Sequence, residues 1–147
     1  AQVDGGGNVN VSRFGPKLAG CGGFIDITQH AKRVVYCGSF TAGGLKVEAK
    51  DGQLNIVNEG KINKFIKDVE QVTFSGKYAQ EKKQPVLYVT ERCVFELTKE
   101  GLELKEVAPG IDIQKDIVDH MGFKPIIKEP LPKMDSRIFQ DGPMGLE

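Results

Sequence analysis

Two short apolar runs, at residues 33–37 and 86–90, constrain the fold of this chain more than any other feature. Each run is nearly continuous in apolar residues, which is typical of a strand that is covered on both faces of its sheet. Both runs also have the length of strands rather than of helices. The pair therefore predicts two buried strands of a central sheet.

Two β-hairpins are predicted beside these strands. Apolar and charged residues alternate in residues 45–56 around Asp51-Gly52, a dipeptide that favours a two-residue turn. Residues 94–97 and 102–104 alternate in the same way on either side of a second turn. The spacing of apolar residues between 65 and 74 predicts further extended chain.

Helices are predicted over residues 23–31 and after Asp112, which has the side chain of an N-cap. The second helix has one apolar face and ends at Gly122; that face consists of Ile113, Ile117, Val118 and Met121. Residues 77–83 are polar and basic and are predicted as a solvated connection. The fold class is therefore α/β: a mixed open sheet with flanking helices and two β-hairpins.

The charges of the chain balance, with 20 Lys and Arg against 20 Asp and Glu. Such a chain has no overall field that would attract nucleic acid or an anionic membrane, and neither is expected as a partner. No apolar run reaches the roughly 18 residues of a membrane-spanning helix, and no signal-peptide pattern is present. We expect a single cytoplasmic domain.

The candidate metal ligands among cysteine and histidine are few and widely spaced; they are Cys21, Cys37, Cys93, His30 and His120. Their spacing fits no known metal site, so no metal is expected. An odd number of cysteines fits reduced thiols.

A glycine-rich loop, Gly20-Cys21-Gly22-Gly23, leads directly into the first predicted helix. A loop of this kind lets a ligand approach the backbone and points free N–H groups at it, which suits a phosphate, a carboxylate or a developing oxyanion. Ordinary tight turns have the same composition. Cys21 is either a nucleophile at the helix start or a passive residue of the loop.

Glu91 directly follows the second apolar run. Ligands of open α/β sheets bind beyond the carboxyl ends of the strands, so a carboxylate at this position is a candidate for site chemistry. The plainer interpretation is that Glu91 pairs with Arg92 or a neighbouring lysine in a turn.

Five segments in order along the chain resemble the family I CoA-transferases; they are residues 20–29, 34–45, 69–76, 89–97 and 108–112. The likeness is greatest to single-chain propionate or acetate CoA-transferases and extends from Val3 to about Phe139. It implies a C-terminal CoA-transferase domain over residues 1–139, followed by a tail at 140–147 in which Leu146-Glu147 resembles a cloning remnant.

The resemblance implies a ping-pong transfer of coenzyme A, the co-substrate, between an acyl-CoA and a short-chain carboxylate through a glutamyl-CoA intermediate. It also implies a homo-oligomer. By resemblance the backbone N–H in the Gly22-Gly23 segment supplies part of an oxyanion hole, with Gly22 as the first donor. The same segment, through Gly23, and the first helical turn near Ile27 line the path of the pantetheine, and Glu91 orients the nucleophile.

The nucleophile itself departs from the pattern. In the family it is the glutamate of a Glu-x-Gly motif, and no Glu of this chain is followed two residues later by Gly. The chain therefore resembles the C-terminal portion of a transferase, inactive without an N-terminal portion that carries the glutamate. The alternative is a non-catalytic interaction or regulatory module that keeps the fold. A thiol enzyme based on Cys21 is a third hypothesis.

Overall fold

The chain folds into short strands and three short α-helices in the computed structural model, which describes residues 1–146. The strands are β1 (Gln2–Val3), β2 (Val9–Asn10), β3 (Arg13–Phe14), β4 (Lys17–Leu18), β5 (Val34–Cys37), β6 (Thr41–Ala42), β7 (Lys46–Lys50), β8 (Gln53–Asn58), β9 (Ile62–Asn63), β10 (Val86–Val89), β11 (Cys93–Thr98), β12 (Gly101–Val107) and β13 (Ile126–Ile127). The α-helices are α1 (Phe24–Gln29), α2 (Gly76–Glu81) and α3 (Ile113–Asp116). Single 3₁₀ turns follow at Val118–His120 and Ser136–Phe139.

A five-stranded mixed sheet forms the centre, in the order β13-β12-β11-β10-β5. The β10–β5 and β12–β13 pairs are parallel, whereas β10–β11 and β11–β12 are antiparallel. Residues 1–146 also contain four two-stranded ribbons. The predicted fold class, a mixed open sheet with flanking helices and hairpins, is confirmed.

The two apolar runs both form strands of this sheet, but they are covered differently. Val86 and Tyr88 of β10 are buried. In β5 only Val34 is buried, and Val35 is 49% exposed. The prediction of cover on both faces is thus wrong for β5, because the face that carries Val35 and Cys37 is exposed. An apolar run does not reveal what packs on each face of a strand.

Both predicted hairpins are present. The β7–β8 turn uses Asp51 at φ 54° and Gly52 at φ 77°, the two left-handed residues that match the twist of paired strands. The β11–β12 hairpin turns through residues 99–100 into Gly101. Unlike the first hairpin, it lies in the middle of the central sheet, where both strands are largely buried.

The helices agree with the sequence only in part. Helix α1 forms within the predicted range, and the Asp112 carboxylate caps α3 by accepting the Lys115 N–H at 2.7 Å. However, α3 stops after one turn and continues as a 3₁₀ turn. The predicted connection at 77–83 is wrong, because α2 occupies most of it behind a Ser75 cap.

The predicted extended chain at 65–74 is also wrong. No strand occurs in this segment of the described chain, and its ends form only isolated bridges with β1 and β2. Its apolar residues instead serve the aromatic core, where Phe65 stacks on Phe40 at 4.9 Å between ring centroids and contacts Phe95 at 5.1 Å. Phe65 also lines a cavity of the site described next.

Candidate functional site at the strand ends

A cleft opens where β5 and β10 end side by side. It consists of two adjoining cavities of about 230 and 350 Å³. The residues that line both cavities are Cys37, Gly38, Ser39, Val89 and Thr90, and we call this region the strand-end cleft. It lies beyond the carboxyl ends of two parallel strands, which is where ligands of open α/β sheets bind.

Parallel pairing creates this cleft. Val89 is in register with Cys37, and the residue that follows β5, Gly38, still donates its N–H to the Val89 carbonyl at 3.1 Å. Beyond that hydrogen bond the two segments of the backbone separate, one toward residues 38–44 and the other toward Glu91. The divergence leaves a concave surface between them.

The smaller cavity has a largely apolar wall that includes Val3, Val9, Val11, Phe24 and Phe65. Its cationic side chain is Lys64, whose Nζ donates to the Ser39 carbonyl at 2.5 Å. Partial burial lowers the pKa of Lys64, and the nearby negative charge of Glu91 opposes that shift. An apolar chamber beside an ammonium group suits a ligand that is partly aliphatic and partly anionic.

Glu91 lines the larger cavity, and its side chain is 18% exposed. One carboxylate oxygen accepts the Arg92 Nε–H at 2.7 Å, and the other accepts the Phe40 N–H at 2.8 Å. The pairing expected from the sequence and the expected position beyond the strand end are both observed, whereas a chemical role for Glu91 stays a prediction. Glu91 pairs with Arg92 in a turn, and it also lies on the cleft.

The turn that carries Glu91 is held by Thr90. The Thr90 hydroxyl oxygen accepts the Cys93 N–H at 3.0 Å, and the Thr90 N–H donates to the Cys93 carbonyl at 2.9 Å. A side chain that bonds the backbone a few residues ahead stabilises a tight turn. Glu91 therefore sits on a rigid connection between β10 and β11.

Arg92 is the residue whose importance the sequence interpretation missed. Its side chain is 0% exposed, and its guanidinium bonds the Glu59 carboxylate at 2.6 and 3.1 Å in a bidentate pair. It also donates to the Asp116 carbonyl at 2.8 Å and lies 4.7 Å from the centroid of the Phe40 ring. The sequence signal that could have revealed this role is the position of Arg92 directly before a run of strand residues. A charged side chain that is buried at such a position needs partners for its charge.

Glu59 is the second carboxylate that pairs with Arg92, and Glu59, Glu91 and Arg92 together form an ion-pair cluster. Burial opposes its ionisation, but hydrogen bonds from Arg92, the Thr41 hydroxyl and the Gly60 N–H, together with the charge of Arg92, lower the pKa of Glu59 to about 2. His120 Nε2 lies 3.7 Å from its carboxylate. The cluster thus combines one buried cation with two carboxylates.

The glycine-rich loop adopts the conformation that its composition favours. Gly20 and Gly22 have φ values of 77° and 50°. The N–H groups of Gly22 and Gly23 donate to no acceptor among residues 1–146, and both residues are exposed. Neither lines the two cavities, although the following residue, Phe24, does. Ile27 is 73% exposed on α1.

The other hypotheses made from the sequence concern Cys21, metal ligands and a membrane-spanning helix. Cys21 makes no side-chain hydrogen bond to His30 or His120 within residues 1–146. In that same range no cluster of three His, Cys, Asp or Glu could hold a metal. No helix of the described residues is long and apolar enough to cross a bilayer.

Known proteins are similar to this chain over almost its whole length. It is 52% identical over 145 residues to the acetate CoA-transferase YdiF of Escherichia coli strain K12 and 53% identical over 152 residues to the caffeate CoA-transferase of Acetobacterium woodii. The matches cover 99% and 100% of this chain but 27% and 29% of the relatives. No protein-family model matches it.

A crystal structure of the acyl-CoA transferase YdiF from E. coli O157:H7, in a thioester complex with CoA, has the same fold with a TM-score of 0.96 at 52% identity. The match covers 100% of this chain and 29% of that chain. This chain is homologous to one segment of the CoA-transferases. The resemblance stated from the sequence is confirmed. The roles of Gly22, Gly23, Ile27 and Glu91 stay predictions.

Proposed function

We propose that this chain is the C-terminal portion of a family I CoA-transferase that moves coenzyme A between an acyl-CoA and a carboxylic acid. The observation that carries the proposal is the identity of 52 to 53% to two CoA-transferases over almost the whole chain. Residues 1–139 form the domain and 140–147 a tail. The acids are short-chain acids such as acetate and propionate, and the enzyme is a cytoplasmic homo-oligomer.

The proposed reaction uses a glutamate of a Glu-x-Gly motif outside this sequence. One oxygen of that carboxylate attacks the thioester carbonyl carbon, the carbon–sulfur bond breaks, and the CoA thiolate leaves an acyl-glutamyl anhydride. The thiolate then attacks the glutamyl carbonyl, expels the first carboxylate and forms glutamyl-CoA. A second carboxylate reverses these steps and leaves as the new acyl-CoA, so no proton or electron is consumed overall.

This chain contributes the surroundings of that reaction. The free N–H groups at Gly22 and Gly23 are suited to hold the negative oxygen of each tetrahedral intermediate. The exposed Ile27 side chain offers an apolar contact to the pantetheine arm, and Glu91 orients the nucleophile from the strand-end cleft. The largely apolar wall of the smaller cavity in the cleft supports binding of an acyl group.

The oxyanion role can be tested at Gly23 in the full-length protein. Gly23 has φ −84°, close to the value that proline requires, so Gly23→Pro removes one N–H with little change of backbone. Gly23→Ala is the matched control, because it keeps the N–H and its Cβ meets Ile27 Cδ1 at an ordinary 3.5 Å. Loss of one oxyanion donor lowers kcat by about 10²–10³.

The measurement is transfer of CoA from acetyl-CoA to propionate, with circular dichroism to confirm folding. We expect wild type and Gly23→Ala to transfer CoA and folded Gly23→Pro to lose most of the activity. Equal kcat for the two variants would contradict the oxyanion role. A folded wild-type protein that transfers no CoA to any acid would favour the non-catalytic module.

A further inference from the structure

We propose that Arg92 is a positioning residue of the transferase: it fixes the Glu91 carboxylate at the strand-end cleft without contacting the substrate itself. The inference rests on the proposed function and adds a residue to it. The carrying observation is the division of the Arg92 donors, since Nε bonds Glu91 while both Nη atoms bond Glu59.

Arg92 is inaccessible to a ligand. Its side chain is fully buried, and its neighbour Glu91 is the member of the pair that reaches the cleft. Any effect of Arg92 on a bound substrate must therefore pass through Glu91. This separates a positioning role from a direct catalytic one.

Glu59 fixes the direction of the guanidinium. A bidentate arginine–carboxylate pair is planar and defined in orientation, and here the Asp116 carbonyl and the Phe40 ring further restrict it. With both Nη atoms engaged, Nε points at Glu91. The orientation of the cleft carboxylate is thus set from inside the core.

Phe40 supplies the second constraint. Its ring lies against the guanidinium while its N–H donates to the other oxygen of Glu91 at 2.8 Å. Both oxygens of Glu91 are therefore held, which defines the plane of the carboxylate. Because each carboxylate oxygen has a further lone pair, Glu91 can still accept a bond from a group in the cleft.

Lysine cannot replace arginine in this arrangement. An ammonium group is a compact charge without the planar fork that reaches two carboxylates in fixed directions. Arg92→Lys keeps the charge and should preserve folding better than Arg92→Met, but it should leave Glu91 poorly oriented.

The test is a double-mutant cycle between Arg92 and Glu91 in the full-length protein, with kcat and the KM for acyl-CoA as readouts. We expect Arg92→Met and Arg92→Lys each to lower kcat at least tenfold with KM changed less than about threefold. In a Glu91→Gln background the same changes should lower kcat less than twofold further. Arg137→Met, which breaks an exposed pair with Asp135, is the matched control and should stay within twofold of wild type.

The outcomes separate the two proposals. A wild-type protein without CoA transfer overturns the proposed function. If wild type is active, the positioning role is overturned by equal losses in both backgrounds, by wild-type kcat in Arg92→Lys or Glu91→Gln, or by failure of both Arg92 variants to fold, which would make Arg92 purely structural.

Discussion

A fully buried arginine is stable only when its surroundings replace the water that it loses. Arg92 meets that condition with two carboxylates, one backbone carbonyl and one aromatic face. Removing one partner of a buried ion pair typically costs about 3–5 kcal/mol, because the remaining charge stays in the core. The cluster is therefore a point where single substitutions have large effects.

The low pKa of Glu59 predicts how stability depends on pH. Because the folded-state pKa, about 2, lies below the unfolded value of 4.5, ionised Glu59 stabilises the fold above about pH 5, and this contribution is lost as pH falls toward 2. Solvent reaches part of the carboxylate, so we expect Glu59→Gln to cost about 2 kcal/mol at pH 7. Urea unfolding at several pH values measures this difference in the free energy of unfolding.

The sign of the pH dependence is the critical result. The difference between wild type and Glu59→Gln should narrow steadily between pH 5 and pH 2. Glu48→Gln, a change at an exposed position of β7, is the control: its free energy of unfolding should equal that of the wild type at every pH. A Glu59→Gln penalty that grows toward low pH would contradict the assignment of the ionised carboxylate to the buried pair.

Among the elements, α2 shows most clearly how contacts distant in sequence create a helix. The Ser75 hydroxyl caps it by accepting the Tyr78 N–H, and the Gln29 side chain of α1 accepts the Ser75 N–H at 2.9 Å. The helix start also packs against the loop at residues 5–7, where a Cβ added to Gly76 would lie 2.0 Å from the Gly6 carbonyl oxygen.

Gly76→Ala should therefore strongly destabilise the protein. The added methyl group meets backbone rather than a movable side chain, and overpacking of this kind costs about 3 kcal/mol. Thermal or urea unfolding gives the free energy.

Gly15→Ala is the control for Gly76→Ala. Gly15 has φ 56° with nothing within 4 Å of an added Cβ, so only backbone strain of about 1–2 kcal/mol is expected. A Gly76→Ala variant no less stable than Gly15→Ala would show that the two backbones are not in close contact.

Over the whole molecule, the distribution of apolar surface is informative. Several large apolar side chains are well exposed within the described residues, among them Leu18 at 75% and Val57 at 65%. The chain also spans only 27 to 29% of the length of its relatives. Single exposed apolar side chains are common on protein surfaces, so the proposal that further parts of a transferase cover them rests on this partial coverage of the relatives.

We accordingly predict that the isolated chain transfers no CoA. In the full-length protein, brief exposure to acetyl-CoA followed by peptide mass spectrometry should find CoA attached to a glutamate outside residues 1–147, because this sequence has no Glu-x-Gly motif. CoA attached to Glu91, or turnover by the isolated chain with acetyl-CoA and propionate, would show that the nucleophile has been misplaced.

Local patterns in the sequence were enough to predict much of the fold. The β7–β8 hairpin follows from Asp51-Gly52, and the α3 cap follows from Asp112, because each depends on residues that are neighbours in the chain. The position of Glu91 beyond a strand end could also be predicted, since strand polarity places it there. The motifs of the CoA-transferases were recognisable for the same reason: they are continuous in sequence.

Contacts between distant segments decided the rest. The edge position of β5, the start of α2 against residues 5–7 and the pairing of Arg92 with Glu59 join parts of the chain that no local period or propensity connects. A buried charge or a close backbone approach is stabilised by whichever group lies nearby in space. That neighbour is known only once the chain has folded.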